Sequence, residues 1–224
     1  VIPQRTPFAT DEMARDAAQS SLALLRDEFT ATFDVARLDG EENAALYTQI
    51  RFLDTSGREV LRLSDGAFSE DLSDKSGEDW FRAAKNLPDG KVVNSGVVVA
   101  RNTNKVEMRV AAPVHFEGQF KGAIALNLKW PLVWTMLSQR TFGSDGYAYI
   151  VNPEGFLISH PKYDLKEAKS NLTEARYGRL AEIVRSDMLN GREAVDTHEF
   201  EKVHKYVAYR PLQIGEDTYA IAAA

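Results

Sequence analysis

Two arginines lie inside segments whose other residues are typical of covered β-strands. Arg51 occurs in "YTQIRF", on the strand face predicted for Tyr47 and Gln49. Arg109 occurs in "VEMRVAAPV". A guanidinium group in a covered strand must contact an anion or a carbonyl, because it does not lose its proton. The partner is either the carboxylate of a bound molecule or a protein carboxylate, for which the candidates are Glu59, Glu107 and Asp79.

An aromatic pair at the start of a short predicted helix is the second group with binding chemistry. Trp80 and Phe81 follow Glu78 and Asp79 in "DKSGEDWFRAA", which is predicted to be helical from near Ser76. The two rings can form an apolar wall over a small molecule, or they can be ordinary core residues. The acidic neighbours leave a cationic ligand open, for which Trp80 offers a cation–π face.

The histidines suggest structure rather than catalysis. His160 precedes Pro161, which favours extended backbone before it, and we predict a hydrogen-bonded histidine that closes a strand, in preference to a ligand contact. His198 and His204 lie six residues apart in "HEFEKVH", a spacing that fits no closed tetrahedral zinc site. We predict solvated charges on a hairpin that turns at Glu201 and Lys202, with no metal and no cofactor.

Hydrophobic periodicity predicts the elements that must position these residues. Helical spacing from Thr10 to Phe33 predicts one long amphipathic helix. Short segments rich in β-branched and aromatic residues then predict two strands, a helix and three strands. After a connecting helix in "WPLVWTMLSQRTFG", which is expected to end at Gly143, the same order of elements recurs. The predicted fold class is α+β, with two tandem antiparallel sheets built from meanders.

Composition narrows the function classes. The chain has 224 residues, of which 44% are hydrophobic, enough for one large domain or two small ones. The chain has 33 acidic and 27 basic residues, and this net negative charge disfavours nucleic acid as a partner because it repels phosphate groups. The absence of cysteine excludes disulfides and thiolate chemistry and suits an extracytoplasmic compartment. The sequence contains neither a nucleophile elbow nor a phosphate-binding glycine loop.

The order and spacing of these segments resemble the double Cache sensor domain of bacterial chemoreceptors, sensor histidine kinases and diguanylate cyclases. The segments that carry the resemblance are "YTQIRFLDTSGREVLRL", "DKSGEDWFRAA", "RVAAPVHFEGQFKGAIALNL", "GYAYIVNPEGFLISHP" and "KYVAYRPL". The resemblance implies four regions: a long helix in 1–37, a membrane-distal subdomain in 38–129, a connecting helix in 130–143 and a membrane-proximal subdomain in 144–224. Each of the two subdomains is expected to contain one PAS-like sheet.

The resemblance also implies where the chain works. Such domains lie in the periplasm between two membrane-spanning helices of an inner-membrane receptor, and a second span would follow "TYAIAAA". We therefore expect an excised sensor domain whose receptor is a homodimer, with any kinase, cyclase or chemotaxis output outside this chain.

The resemblance places the ligand in the distal subdomain. The candidate ligand-binding residues are Glu78, Asp79, Trp80, Phe81, Ser95, Arg51, Arg109 and Asn127. Glu78 stands where the amino-acid sensors of the family carry an arginine. Val98, Ala100 and Asn127 stand where those sensors carry a tyrosine and two aspartates. Because the groups that hold an amino acid are missing, we expect another small organic molecule, with a carboxylate favoured over an amine.

Two other functions remain open. A spacer that responds to a partner protein would have a first sheet without a cavity. A soluble hydrolase would need two converging carboxylates, and Glu78 with Asp79 is the only candidate pair.

Overall fold

Two antiparallel sheets with helices against them follow one long N-terminal helix. The protein is represented by a computed structural model that describes residues 11–35, 45–99, 105–140, 142–143, 145–161, 170–200 and 202–224. The first sheet has six strands and the second has five. The predicted α+β fold with two tandem sheets is confirmed.

The elements have the following bounds. The helices are α1 (Asp11–Val35), α2 (Asp79–Lys85), α3 (Trp130–Ser138) and α4 (Arg179–Ser186). The strands of the first sheet are β1 (Tyr47–Leu53), β2 (Glu59–Ser64), β3 (Ala67–Phe68), β4 (Val93–Val99), β5 (Val106–Phe116) and β6 (Gln119–Lys129). The strands of the second sheet are β7 (Ala148–Val151), β8 (Leu157–Ser159), β9 (Ala194–Phe200), β10 (Val203–Ile214) and β11 (Asp217–Ala223). Short 3₁₀ helices at Ala175–Tyr177 and Met188–Asn190 flank α4.

Strand order departs from the predicted meander in both sheets. The first sheet runs β3-β2-β1-β6-β5-β4 and the second runs β8-β7-β11-β10-β9. In each sheet the last strand pairs with the first and lies in the middle. Hairpin patterns in a sequence indicate only which consecutive strands pair, so they could not predict that the last strand pairs with the first. The connecting helix α3 is also shorter than expected, because it ends at Ser138 and not at Gly143.

The long helix α1 packs against the first sheet through a single stripe of apolar residues. Leu22, Leu25, Phe29 and Phe33 recur at helical spacing and contact the first sheet, where Phe29 and Phe33 are buried. Residues 15–21 of the same helix are exposed. Within the described ranges, no helix has both the length and the apolar character that a bilayer crossing needs.

Helix α2 packs against the opposite face of the first sheet, where the strand residues beneath it are alanines. Trp80, Phe81 and Ala84 pack there with Leu53. The alanines beneath them are Ala111, Ala123 and Ala125, all fully buried. Short side chains on the strands let the two bulky aromatic residues of the helix fill the space without overpacking.

A β-bulge near the start of β1 changes one prediction. The pairing of β1 with β6 shifts register between Tyr47 and Gln49. An extra residue in one strand reverses the side-chain alternation at that point. Tyr47 consequently packs with the cluster under α1, whereas Gln49 and Arg51 face the side of α2.

The two sheets share one packed interface. Trp130 is buried in a cluster with Met108 of the first sheet and Tyr219 of the second, and its indole nitrogen donates a hydrogen bond to the carbonyl of Ile158. Gly215 has a positive φ of 65°, and a Cβ at this position would lie 2.6 Å from the carbonyl oxygen of Val92. The hairpin between β10 and β11 therefore touches the segment that leads into β4.

Candidate functional site

A cleft of about 1030 Å³ opens over the α2 face of the first sheet, beside β4. Lining residues come from α2, β1, β4 and β5 of the first sheet. The second sheet closes the cleft with the turn at 152–154 and with Asp217 and Tyr219 of β11. Sequence reasoning missed these second-sheet residues, because nothing local in the sequence links that turn to a strand some sixty residues earlier.

Six of the eight residues predicted to bind a ligand line this cleft: Arg51, Glu78, Asp79, Trp80, Ser95 and Arg109. Phe81 is not among the lining residues, because it lies in the core against Phe120, with ring centroids 6.3 Å apart. Asn127 is fully buried beneath the cleft floor. Of the family positions discussed above, Val98 lines the cleft, whereas Ala100 lies outside the described residues.

A row of polar side chains crosses the floor of the cleft. Gln49 pairs with Asn127 in the register of β1 and β6, and Asn127 pairs with Arg109 in the register of β6 and β5. The Asn127 amide accepts from Arg109 Nε at 3.0 Å and donates to Glu107 at 2.7 Å. Arg109 Nη2 also donates to Glu107, at 3.2 Å. Asn127 on the neighbouring strand and Glu107 on the same strand thus hold Arg109 in place.

Arg51 forms the second half of the floor. Its guanidinium lies 3.2 Å from Glu59 in a buried ion pair that lacks hydrogen-bond geometry, and it also donates to Gln49. The other Glu59 oxygen accepts from Arg62 at 2.8 Å and from the backbone and hydroxyl of Ser73. Arg51 Nε has no hydrogen-bond partner.

Burial lowers the pKa of Arg51 to about 10, and the positive charges of Arg109 and Arg62 act in the same direction against the attraction of Glu59 and Glu107. The group remains charged at neutral pH. Around the floor, three guanidinium groups face two carboxylates. The floor therefore carries an excess of positive charge in a partly dehydrated place, whereas the exposed rim carries the carboxylates of Glu78, Asp79, Glu154 and Asp217.

Trp80 forms the wall next to this charge. The guanidinium carbon of Arg109 lies 5.0 Å from the centre of the Trp80 ring, within the range of a cation–π contact. The indole nitrogen of Trp80 is buried without a partner. Ser95 Oγ accepts a hydrogen bond from the backbone nitrogen of Arg109 at 3.2 Å, which fixes β4 beside the same residue.

Acidic residues at the rim do not form a catalytic pair. Asp79 pairs with Arg82 on the surface of α2, and its side chain is 98% exposed. Glu78 precedes the first helical residue and makes no capping hydrogen bond with its side chain. The two carboxylates thus show no convergence on one point in the cleft, so the hydrolase hypothesis loses its only candidate pair.

The histidines divide between the surface and the second sheet. His160 is buried, as expected for a residue that closes a strand, and its ring lies edge-on to Tyr147 at 4.6 Å. His204 is exposed. His198 is 6% exposed, so the prediction that it is a solvated hairpin residue is wrong. It faces inward because β9 packs under α4. Within the residues that the structure describes, no cluster of His, Asp and Glu could hold a metal ion.

Comparison with known proteins identifies related domains. The family described as "Cache domain" matches residues 9–224. The methyl-accepting chemotaxis protein PscA of Pseudomonas syringae pv. tomato (strain ATCC BAA-871 / DC3000) is 31% identical over 96 residues, which are 43% of this chain and 15% of that protein. The chain thus matches a small part of that curated relative.

Solved structures share the fold over most of the chain. A domain described as belonging to a sensory box/GGDEF family protein of Vibrio parahaemolyticus matches with a TM-score of 0.65 and 20% identity, over 93% of this chain and 79% of that one. The ligand-binding domain of the amino acid chemoreceptor PctC of Pseudomonas aeruginosa PAO1, in complex with GABA, matches with a TM-score of 0.57 and 19% identity, over 92% of each chain.

Proposed function

The chain belongs to the Cache domain family, and from that premise we propose that it is the extracytoplasmic ligand-sensing domain of a bacterial transmembrane receptor. The ligand is a small organic molecule that carries a carboxylate and binds in the cleft of the first sheet. The domain binds this molecule without changing it, and the signalling output belongs to other parts of the receptor.

The observation that carries this proposal is the arginine pair on the cleft floor. Arg51 is buried, and neighbouring positive charges lower its pKa further. A carboxylate bound between Arg51 and Arg109 would offset that repulsion and accept hydrogen bonds from guanidinium donors. One such donor, Arg51 Nε, has no partner within the protein.

Burial favours a carboxylate over an amine. The positive groups lie on the floor, where water is scarce and an ion pair is strong. The negative groups of the lining are Glu78, Asp79, Glu154 and Asp217, and all four lie on the exposed rim, where water and salt weaken attraction to an ammonium group. An amine therefore has the weaker of the two sites.

The comparisons support only part of this chemistry. PctC was solved with GABA, a molecule with a carboxylate at one end and an ammonium at the other. Glu78 replaces the arginine of the amino-acid sensors, and Asn127 replaces one of their aspartates. We therefore retain the carboxylate as the shared feature and do not assign an amino acid.

A ligand in the cleft would contact both sheets and so could change their relative packing. Asn94 accepts from the Tyr219 hydroxyl at 2.8 Å, and its amide donates to the Ile214 carbonyl and to Asp217. A ligand that favours one arrangement of this interface shifts the population toward it, by no more than its difference in affinity. We expect two chains to pair along the exposed part of α1, residues 15–21.

Calorimetric titration of the purified domain tests the proposal. The panel contains acetate, succinate, malate and benzoate, the amines putrescine and choline, and the amino acids GABA and L-serine. At least one carboxylate should bind, and Arg109→Lys should weaken it at least tenfold, because lysine keeps the charge but loses the forked donors. Arg192→Lys, in an exposed ion pair with Asp187, is the matched control and should have no effect.

Two outcomes would contradict the proposal. Binding of amines alone, insensitive to Arg109→Lys, would move the site to the acidic rim. No binding across the panel, with the cleft found closed in crystals, would support the spacer hypothesis, which the open cleft presently argues against.

A further inference from the structure

A second, smaller cavity of about 110 Å³ lies in the second sheet. Among the described residues it is lined mainly by apolar and aromatic side chains, with His160, Ser170 and His198 as polar members. The full set is Tyr147, Tyr149, Leu157, His160, Ser170, Leu172, Tyr177, Leu180, His198 and Ala224. We call it the second-sheet cavity.

The second-sheet cavity occupies the same place in its sheet as the cleft does in the first. In both sheets the last strand lies between the first strand and the penultimate strand. In the first sheet, α2 follows the opening strands and covers the cleft side. In the second, α4 follows β8, and Leu180 from α4 lines the cavity. The repeated architecture therefore leaves a concave space in both sheets.

Two residues that line this cavity each carry a buried polar atom without a hydrogen-bond partner. Tyr149 Oη and His198 Nδ1 are buried and make no hydrogen bond. Tyr149 is 4% exposed and His198 is 6% exposed. Buried polar groups are nearly always satisfied in folded proteins, so an unsatisfied pair that lines one cavity indicates a missing partner.

The cavity has a neutral lining. Burial raises the pKa of the Tyr149 phenol, and it lowers the pKa of His198, assisted by the charge of Lys205 and opposed by Asp196. Both groups are therefore uncharged at neutral pH. No carboxylate, ammonium or guanidinium group lines the cavity among the residues that the structure describes. The Lys205 ammonium donates to the hydroxyl of Tyr147 at 2.9 Å.

We propose that the second-sheet cavity is a second binding site, and that it takes a small uncharged molecule with an apolar body and one hydrogen-bonding group, of the size of phenol or a short-chain alcohol. The polar group would bond to Tyr149 Oη and His198 Nδ1, and the body would contact Leu157, Leu172 and Leu180. An enclosed cavity of about 150 Å³ accepts benzene, and the second-sheet cavity, at about 110 Å³, is smaller but partly open to solvent, so the bound molecule can be no larger than about one ring with one substituent. This inference goes beyond the proposed function and does not depend on it.

Water alone is a poorer occupant. At about 30 Å³ for each molecule, the space would hold roughly four waters, each needing two to four polar partners. The two partnerless atoms, Tyr149 Oη and His198 Nδ1, provide few of those bonds, and the leucine side chains provide none. An amphiphilic molecule satisfies both parts of the lining at once.

Phenol, toluene and acetate are the probes for the experiment, which follows NMR signals of the Tyr149 and His198 rings in the intact domain. Phenol should perturb both rings in a saturable manner. Toluene, which has the same ring without a hydroxyl, should bind at least tenfold more weakly, and acetate should not bind there. Tyr149→Phe should weaken phenol about tenfold and leave toluene unchanged, because it removes only the hydroxyl.

Two controls separate this site from the others. Tyr206→Phe removes the hydroxyl of an exposed tyrosine on β10 and should leave the affinity for phenol unchanged. Arg109→Lys should also leave it unchanged, which distinguishes this site from the cleft. The inference is wrong if phenol at millimolar concentration leaves the two rings unperturbed, or if crystals grown with phenol show only ordered water on Tyr149 Oη.

Discussion

The guanidinium carbon of Arg109 lies over the Trp80 ring in the wall of the cleft, 5.0 Å from the ring centre. Asn127 and Glu107 hold the same guanidinium from below. The cation is thus oriented before any ligand arrives. Preorganisation of this kind lowers the entropy that binding must overcome.

Replacing the ring that supports Arg109 should weaken ligand binding. Phenylalanine offers a weaker cation–π face, so Trp80→Phe should lower carboxylate affinity about two- to fivefold, in line with about 0.5–1 kcal/mol for such a contact. Calorimetric titration measures the change. Trp134→Phe, on α3 and outside the cleft lining, is the control. Equal affinity in the Trp80 variant and the wild type would show that the stacking does not orient the arginine.

The buried ion pair of Arg51 and Glu59 should matter for stability. Arg51→Gln leaves Glu59 with fewer positive partners in a dehydrated position, and we expect a loss of about 3 kcal/mol in the free energy of unfolding. Urea denaturation at pH 7 measures it. Arg192→Gln breaks an exposed pair with Asp187 and should cost less than about 1 kcal/mol. Similar losses in the two variants would contradict the assignment.

Asn94 should couple the two sheets. Asn94→Ala removes the acceptor of the Tyr219 hydroxyl and a donor to Asp217, both across the interface. Hydrogen exchange with and without a carboxylate should show ligand protection in β10 and β11 of the wild type that is reduced in the variant. Asn86→Ala removes an amide that donates to the Arg82 carbonyl of α2, and it should keep that protection. Unchanged protection in Asn94→Ala would place the coupling elsewhere.

His198 should make stability depend on pH. Its folded pKa lies below the ordinary 6.5, because burial disfavours the charged form. The unfolded chain therefore binds a proton first as the pH falls, so stability is full above about pH 6.5 and declines below it, by at most about 1.4 kcal/mol per pH unit. His198→Gln should remove this component in urea denaturation between pH 5 and 8. His204→Gln, at an exposed histidine, should not, and a wild-type curve that is flat over this range would refute the prediction.

Local pattern was enough for several features of the fold. Helical spacing predicted α1, which the structure places at Asp11–Val35. The arginines of the floor were recognisable because a permanent charge in a covered strand demands a partner. Both inferences need only a few consecutive residues and the chemistry of one side chain.

The helix α2 shows where local pattern failed. Trp80 and Phe81 are adjacent, so the sequence treats them alike. Neighbours in a helix point about 100° apart, which sends Trp80 to the cleft wall and Phe81 into the core against Phe120. The rotation of α2 about its own axis, as it packs on the alanines of the first sheet, determines which of the two rings lines the cleft.

By itself, the amino-acid sequence determined the types of the elements, their order and the presence of charges that need partners. Tertiary structure alone decided that β6 lies between β1 and β5, that the turn at 152–154 closes the cleft, and that His198 is buried and lines the same cavity as the unsatisfied Tyr149. The physical reason is the sequence distance over which each effect acts. Periodicity and turn chemistry depend on a few consecutive residues, whereas strand pairing and burial depend on the packing of segments that are far apart in the chain.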